Sequence, residues 1–355
     1  MSGAPYWVKI KRDGGYVIFN YSQTESDFSN PVVQECRGII LRERDFVPVC
    51  VPFFKFFNAN EPNAHAIDWS TARVQEKIDG SIIKVWYDAG AWRVSTNGTI
   101  DAAKATLENS MCAYKNFGEL FEVARAGVAL DFAALDPDCT YMFELVSPFN
   151  KTIIYYADIA IFHIGTRNNR TFVEVSAEIG VAKPKTFALN SLEDCTRAAA
   201  KLPFNEEGYV VVDANARRVK IKSPEYVRVH RLGNNGVITV ARVIEIIRQN
   251  EQAEFLTYYP EYTGLIDETR GKIDALIAGL QAQIDALAAQ TFETQKDFAA
   301  VVSPLSLNAF YFRWYKNRAT TPAEWVWGQT NDKIEAFFAS AHEPATNICG
   351  KGCTN

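Results

Sequence analysis

The segment Glu76-Lys77-Ile78-Asp79-Gly80-Ser81 holds the residue best suited to covalent chemistry. It lies between WSTARVQ and the run IIKVWY, so the lysine opens a turn whose Asp-Gly permits left-handed backbone, with a buried strand behind it as a rigid support. A lysine so placed is a nucleophile once its amine is free, a state that neighbouring cations or a metal ion favour. Two carboxylates follow on strand-like segments, Glu144 in FELVSP and Glu207 in EEGYVV. Lys220 and Lys222 alternate with Val219 and Ile221, so both face one side of a strand. Two ammoniums on one face repel unless an anion sits between them, and phosphate is the natural anion. Arg37 in ECRGII and Lys55 in FKFFN stand upstream as further cations. Taken singly, K-x-D-G reads as a hairpin turn and Glu206-Glu207 as a solvated turn; together they describe a site for phosphoryl chemistry.

In order, R-G, K-F-F-N, K-x-D-G-S, F-E-L-V-S-P, E-G-Y-V and K-x-K resemble the covalent nucleotidyltransferase superfamily and, within it, the bacteriophage RNA ligase 1 family, over residues 35–223. K-x-D-G, E-G and K-x-K are shared with DNA ligases and mRNA capping enzymes; E-C-R-G-I, K-F-F-N and F-E-L-V-S-P-x-N point to the RNA ligase branch. The resemblance implies ATP-dependent sealing. Lys77 attacks the α-phosphorus of ATP, AMP passes from Lys77 to an RNA 5′-phosphate, and a 3′-hydroxyl displaces AMP. Each step moves charge through phosphorus, so positioning and electrostatics dominate.

On the same resemblance Lys220 and Lys222 act with Lys77 on the α-phosphate and the departing pyrophosphate. Arg37 and Lys55 contact nucleotide or RNA phosphates, and Phe57 or Phe162 stacks on adenine, Phe162 having an equal reading as a strand core residue. Glu76, Gly80, Glu144 and Glu207 line the nucleotide site, while Asp79, Glu144 and Glu207 hold Mg²⁺ or Mn²⁺. The implied partners are single-stranded or nicked RNA, with tRNA a candidate, and a polynucleotide kinase/phosphatase as companion activity. One position departs from the pattern: the family commonly has a lysine where this chain has Asn97, before Gly98, and Arg93 or Lys104 are the candidate substitutes.

The elements that must position these groups are legible in outline. Residues 1 to about 222 read as short Val-, Ile-, Tyr- and Phe-rich runs between turn signals, with helical pattern at 102–126 and at 191–201 after an N-cap Ser191. The strand-like runs are GGYVIFNY, RGIILRERDFVPVCVPFF, SIIKVWYDAGAWRVSTNG, TIIYYADIAIFHIG and EGYVVVDANARRVKIK. After Pro224 the pattern turns helical, and Ile266, Ile273, Ile277, Leu280, Ile284 and Leu287 form one stripe, read as an intramolecular helical hairpin in preference to a coiled-coil surface. The expected fold class is α+β: a mostly antiparallel-sheet nucleotidyltransferase (ATP-grasp-like ligase) domain at 1–240, then an all-α domain at 241–355 that shapes RNA choice. DNA ligases and capping enzymes place a β-rich domain there, which favours RNA ligase over DNA ligase. An enzyme that stops after adenylating RNA 5′ ends and a non-catalytic RNA-end binding protein are the remaining alternatives; the latter has no need of a nucleophile.

Composition bounds the rest. The chain has 355 residues, 48% hydrophobic and 22% charged, with formal net charge -5, so no global basic character advertises a polyanion partner and any such site must be local. No apolar run is long enough to span a membrane, and MSGAPYWVKIKRDGG has no apolar stretch after its basic residues, so a cytoplasmic protein is expected. Seven scattered cysteines argue against a disulfide framework, and Cys349 and Cys353 in the Gly-rich tail lack the partners of a zinc set. His65, His163, His230 and His342 show no ligand spacing. Near the C-terminus Arg313, Lys316 and Arg318 interleave with Tyr311, Phe312, Trp314 and Tyr315, a pattern suited to single-stranded RNA or to the solvated face of an amphipathic helix.

Overall fold

Alternating apolar and polar residues build three mostly antiparallel sheets, with one parallel pairing at Val219–Phe57, described here from a computed structural model covering residues 2–3, 6–107, 113–150, 153–232 and 238–338. Cys112, Cys349 and Cys353 lie outside the described residues. The chain divides into two compact units, 1–234 and 235–355.

In the first unit β1 (Val8–Asp13), β2 (Tyr16–Tyr21), β3 (Arg37–Arg42) and β4 (Pro48–Cys50) form one sheet in sequence order, with the short helix α1 (Pro31–Glu35) leading into β3. The next strands are β5 (Phe57–Asn58), β6 (Arg73–Glu76), β7 (Ser81–Asp88) and β8 (Ala91–Thr96). After α2 (Phe117–Gly127) come β9 (Cys139–Val146), β10 (Ala160–Asn168), β11 (Glu174–Val175) and β12 (Thr186–Phe187). Helix α3 (Leu192–Ala199) precedes β13 (Gly208–Val212), β14 (Arg218–Lys222) and α4 (Pro224–Leu232). They build two five-stranded sheets, ordered β11-β10-β9-β7-β8 and β12-β6-β13-β14-β5. One face of the first buries Ile83, Val85, Tyr141, Phe143 and Leu145 against Leu120 and Phe121 of α2. The second buries Val74, Tyr209, Val211, Val219 and Ile221 against Cys195 and Ala199 of α3. Trp86, on the other face of β7, packs with Tyr16, Ile18, Ile40 and Cys50 of the four-stranded sheet. Each such buried aromatic or aliphatic side chain stabilises the fold by about 1.5–3 kcal/mol.

Two expected elements of the first unit form differently. Among the described residues the helical pattern at 102–126 gives an α-helix from Phe117, where Asn116 caps it by accepting from Glu119 N, and a 3₁₀ turn at Ala102–Lys104. In TIIYYADIAIFHIG only the part from Ala160 is strand; Ile153 and Ile154 instead donate backbone amides to Asp79, which draws that segment off the sheet. Helix α3 starts as expected, with Ser191 Oγ accepting from Asp194 N at 3.0 Å.

The second unit is helical: α5 (Val240–Arg248), α6 (Gln252–Tyr258), α7 (Thr263–Ala288), α8 (Gln295–Val302), α9 (Asn308–Lys316), α10 (Pro322–Trp327) and α11 (Asn331–Phe337). The Ile/Leu stripe belongs to one 26-residue helix rather than a hairpin. Helix α7 packs against α5 and α10 of its own unit, with Ile266, Ile273, Leu276, Leu280, Ile284 and Leu287 buried and Ile277 at the margin. Among the described residues this unit has no strand, and no helix of the protein is long and apolar enough to cross a membrane.

Candidate active site

Lys77 follows the end of β6, where its amide donates to Gly208 O at 2.9 Å. Three contacts fix this loop. Ile78 is buried. Asp79 Oδ2 accepts from Ile153 N and Ile154 N, both at 3.0 Å. Gly80 passes so close to β9 that a Cβ there would lie 2.5 Å from Leu145 O and 3.0 Å from Glu144 Cγ. The glycine of K-x-D-G is therefore required by this approach; neither it nor Asp79 has positive φ, contrary to the expected left-handed turn. Asn150 Nδ2 reinforces the clasp by donating to Leu145 O at 2.8 Å and Ser81 Oγ at 3.0 Å, while Ser147 Oγ bonds Asn150. The S-P-x-N wording is thus a turn that ties β9 to the nucleophile loop.

Lys77 Nζ, partly exposed, lies 2.8 Å from Glu207 Oε2, which is only 5% exposed. The pair is off the line of a well-aligned hydrogen bond, so the contact is chiefly electrostatic. Glu206, beside it, is exposed. Glu144 is pushed up to about 7, by burial first; Lys77 and Arg37 pull it down and Glu207 pushes it up, so all four groups share one field. The cross-strand pairs Gly208–Lys222 and Val210–Lys220, and the pairing of Val210 with Gln75, put both lysines on the face of the sheet that carries Gln75 and Lys77. Lys222 is buried and Lys220 partly exposed. Phe162 stands cross-strand from Glu144 and partly exposed, on the same face. Glu76 ends β6 opposite Tyr209.

The structure reassigns three of the expected groups. Phe57 is 1% exposed, edge-on to Phe28, with Lys55 Nζ 5.4 Å from its ring centre, so no face is open to adenine. Lys55 Nζ also lies over Tyr21 and Phe28, at 5.2 and 5.1 Å, an aromatic cage in place of an open phosphate contact. Asp79 spends its carboxylate oxygen on two backbone amides and so positions the loop. Among the described residues no three His, Cys, Asp or Glu side chains gather as a metal site. Glu144 and Glu207 remain, two carboxylates whose mutual repulsion a hard divalent cation would relieve, with water and phosphate oxygens completing its shell. That donor set fits Mg²⁺ or Mn²⁺.

Two residues beside the site were not foreseen. Tyr156 Oη accepts from Asp79 N at 3.4 Å, and burial, with the charges of Asp79, Glu76 and Glu207, raises its phenol to about 12. Lys84, fully buried, lies near Asn97 around Gly38. The substitutes considered for a cation at 97 are elsewhere: Lys104 pairs with Asp13, and Arg93 lies over Tyr16 and Trp86. Lys84 was hidden because a strand reading of SIIKVWY assigns its lysine to solvent. A cavity of about 500 Å³ opens further along β6, lined by Gln75, His163, Arg167, Lys183, Val212 and Arg218. Three of its cations are committed, Arg167 to Glu35, Lys183 to Glu178 and Arg218 to Glu174, and Arg73 also lines it.

The profile of the RNA ligase family matches residues 35–226, more than half of the chain and all of the site just described. The chain belongs to the RNA ligase family. A putative bifunctional polynucleotide kinase/RNA ligase of Autographa californica nuclear polyhedrosis virus is 30% identical over 321 residues, 85% of this chain and 44% of the relative. The chain thus spans less than half the length of that relative. An RNA ligase of Rhodothermus phage RM378 is 26% identical, covering 84% of this chain and 80% of its own. Among solved structures, a putative ATP-dependent DNA ligase from Aquifex aeolicus superposes with a TM-score of 0.44 at 12% identity, covering 84% of each chain. The family match leaves α5 to α11 outside its bounds.

In that second unit Arg313, Lys316 and Arg318 are exposed, but the rings beside them are occupied. Trp314 is 5% exposed and covered by Arg318 at 3.8 Å, and Tyr315 stacks on Phe298 at 4.1 Å. The cations can attract phosphate, while Trp314 and Tyr315 are already engaged within the protein.

Proposed function

We propose that this chain is an ATP-dependent RNA ligase whose first step places AMP on Lys77. The observation that carries the reading is the 2.8 Å approach of Lys77 Nζ to Glu207 within the field of Glu144 and Arg37. Glu207 orients the amine and is the nearest acceptor for the proton Nζ loses as the N–P bond forms. Pyrophosphate departs with the electron pair of the breaking P–O bond, its charge met by Lys220 and Lys222. An RNA 5′-phosphate oxygen then attacks the phosphorus on Lys77, returning the amine. Finally the 3′-hydroxyl oxygen attacks the 5′-phosphorus and AMP leaves. Bound between Glu144 and Glu207, a divalent cation would neutralise charge building on the phosphate oxygens. Phe162 is the ring that would cover adenine.

RNA as substrate is supported by the family and by the names of the viral and phage relatives. The kinase named in the viral relative supports a companion activity that prepares 5′-phosphate ends, in RNA repair with nicked tRNA as the candidate substrate. The helical unit would then adjust RNA choice through Arg313, Lys316 and Arg318. A cytoplasmic setting agrees with the free thiols of Cys36, Cys50, Cys139 and Cys195.

Incubation with α-labelled ATP and Mg²⁺, followed by denaturing electrophoresis, tests the first step. Label should stay with the wild type and be absent from Lys77→Ala; a wild type shown free of prior AMP that takes no label overturns the covalent mechanism. Joining of 5′-phosphorylated single-stranded RNA should exceed sealing of nicked duplex DNA, and equal sealing would reassign the chain to DNA.

A further inference from the structure

The start of β3 contains an irregularity beside the site. Phe19 of β2 faces Ile39, whereas Asn20 faces Arg37, so Gly38 is the extra residue of a β-bulge. Its φ is +84°, and a Cβ there would lie 2.7 Å from Asn97 O and 2.9 Å from both Asn97 Oδ1 and Lys84 Nζ. A bulge takes one residue out of the ladder and re-aims the side chains next to it. Here the bulged residue's carbonyl receives a hydrogen bond from a different sheet: Lys84 Nζ, on β7, donates to Gly38 O at 2.5 Å.

Lys84 is 0% exposed, and among the described residues no carboxylate pairs with it. Lysine is almost never fully buried without such a partner, because desolvation of the ammonium is costly. Burial pushes its pKa down, with Cys50 opposing and Arg37 adding to the fall. A methionine or leucine on this face of β7, opposite Met142 of β9, would be buried without that cost, so packing alone does not account for a lysine. What Lys84 adds is a donor to the one carbonyl that follows Arg37 into the bulge. Arg37 in turn lies over Phe56 at 4.9 Å and acts on the charge of Glu144.

We infer that Lys84 is a positioning residue for the candidate site: by holding the Gly38 bulge from the strand that follows the nucleophile loop, it presents Arg37 to the phosphates that Lys77, Glu144 and Glu207 act upon. The inference rests on the nucleotidyl-transfer reading above. It ties the strand carrying Arg37 to the strand that follows Gly80, so the cation and the nucleophile are set by one hydrogen bond between sheets.

The test is a double-mutant cycle read by single-turnover transfer of label from α-labelled ATP to the full-length enzyme. Lys84→Met should keep the folded state, with Tm within about 5 °C of wild type, yet slow labelling at least about tenfold. Lys84→Gln, which retains a donor, should recover part of that loss. In an Arg37→Ala background Lys84→Met should slow labelling no further, since the group it positions is gone. Wild-type rate in Lys84→Met, or an equal slowing with and without Arg37, overturns the inference. Where Lys84→Met fails to fold, the same cycle is run with Lys84→Leu, which also lacks a donor, and the same two outcomes decide it. A wild type that takes no label overturns the nucleotidyl-transfer reading itself, a result distinct from labelling that ignores Lys84.

Discussion

Adjacent residues in the site differ sharply in burial. Glu207 is buried against Lys77 while its neighbour Glu206 is in solvent, so the two carboxylates of EEGYVV have different worth. Glu207→Gln should lower single-turnover labelling by about 100-fold or more, whereas Glu206→Gln should leave it unchanged within a factor of about two. Away from the chemistry, burial holds His163 at about 4 against an ordinary value of 6.5. Above pH 6.5 the imidazole is neutral folded and unfolded, and contributes nothing to the pH dependence. Between 6.5 and 4 the unfolded chain binds a proton that the native state refuses, so stability falls as pH falls, by up to about 3 kcal/mol. Urea midpoints from pH 7.5 to 4.5 should therefore drop more in wild type than in His163→Gln, and parallel curves would assign the acid sensitivity to other groups.

At the scale of elements, the site is made by strands that approach one another closely. Gly80→Ala puts a methyl 2.5 Å from the Leu145 carbonyl, a backbone atom that cannot swing away. The variant should lose about 1–3 kcal/mol of stability and displace Glu144 from Lys77, so labelling should fall by more than the loss of folded protein. Labelling proportional to the folded fraction in far-UV CD would deny that coupling. K-x-D-G and E-G-Y-V were readable as one site because their residue types are chemical. The turn at Ser147–Asn150 and the segment Ile153–Ile154 were not readable as its clasp, because hydrogen bonds from Asn150 to Ser81 and from Ile153 to Asp79 join residues 69 and 74 positions apart.

For the whole molecule, net charge -5 means that the RNA substrate proposed above would be held by local cations. In the helical unit Arg313, Lys316 and Arg318 are exposed with their rings engaged, so any contribution is electrostatic. Replacing all three by Ala should leave labelling by ATP intact and reduce the slope of log K against log salt for single-stranded RNA by up to about 2, roughly 0.7 for each phosphate no longer neutralised. An unchanged slope would remove this helix from the RNA surface. That the second unit is helical was evident from its 3.6-residue period. That its long stripe is one helix covered by α5 and α10 was not, since a stripe shows that a face is buried without showing what buries it.

The order of motifs, the strand that carries Lys220 and Lys222, the α+β class and the change to helix after Pro224 are local properties of residue type and period, and the sequence determined them alone. Which aromatic is open was decided only by the tertiary structure: Phe57 and Phe162 were both candidates in the chain, with a core reading weighed for Phe162, yet Phe57 is the buried ring under Lys55 and Phe162 is partly exposed beside Glu144. The same holds for Lys84, a lysine in a strand, which becomes a buried donor because a bulge in another sheet frees one carbonyl. Burial and partners depend on contacts between segments far apart in sequence, and neither periodicity nor motif spacing encodes them.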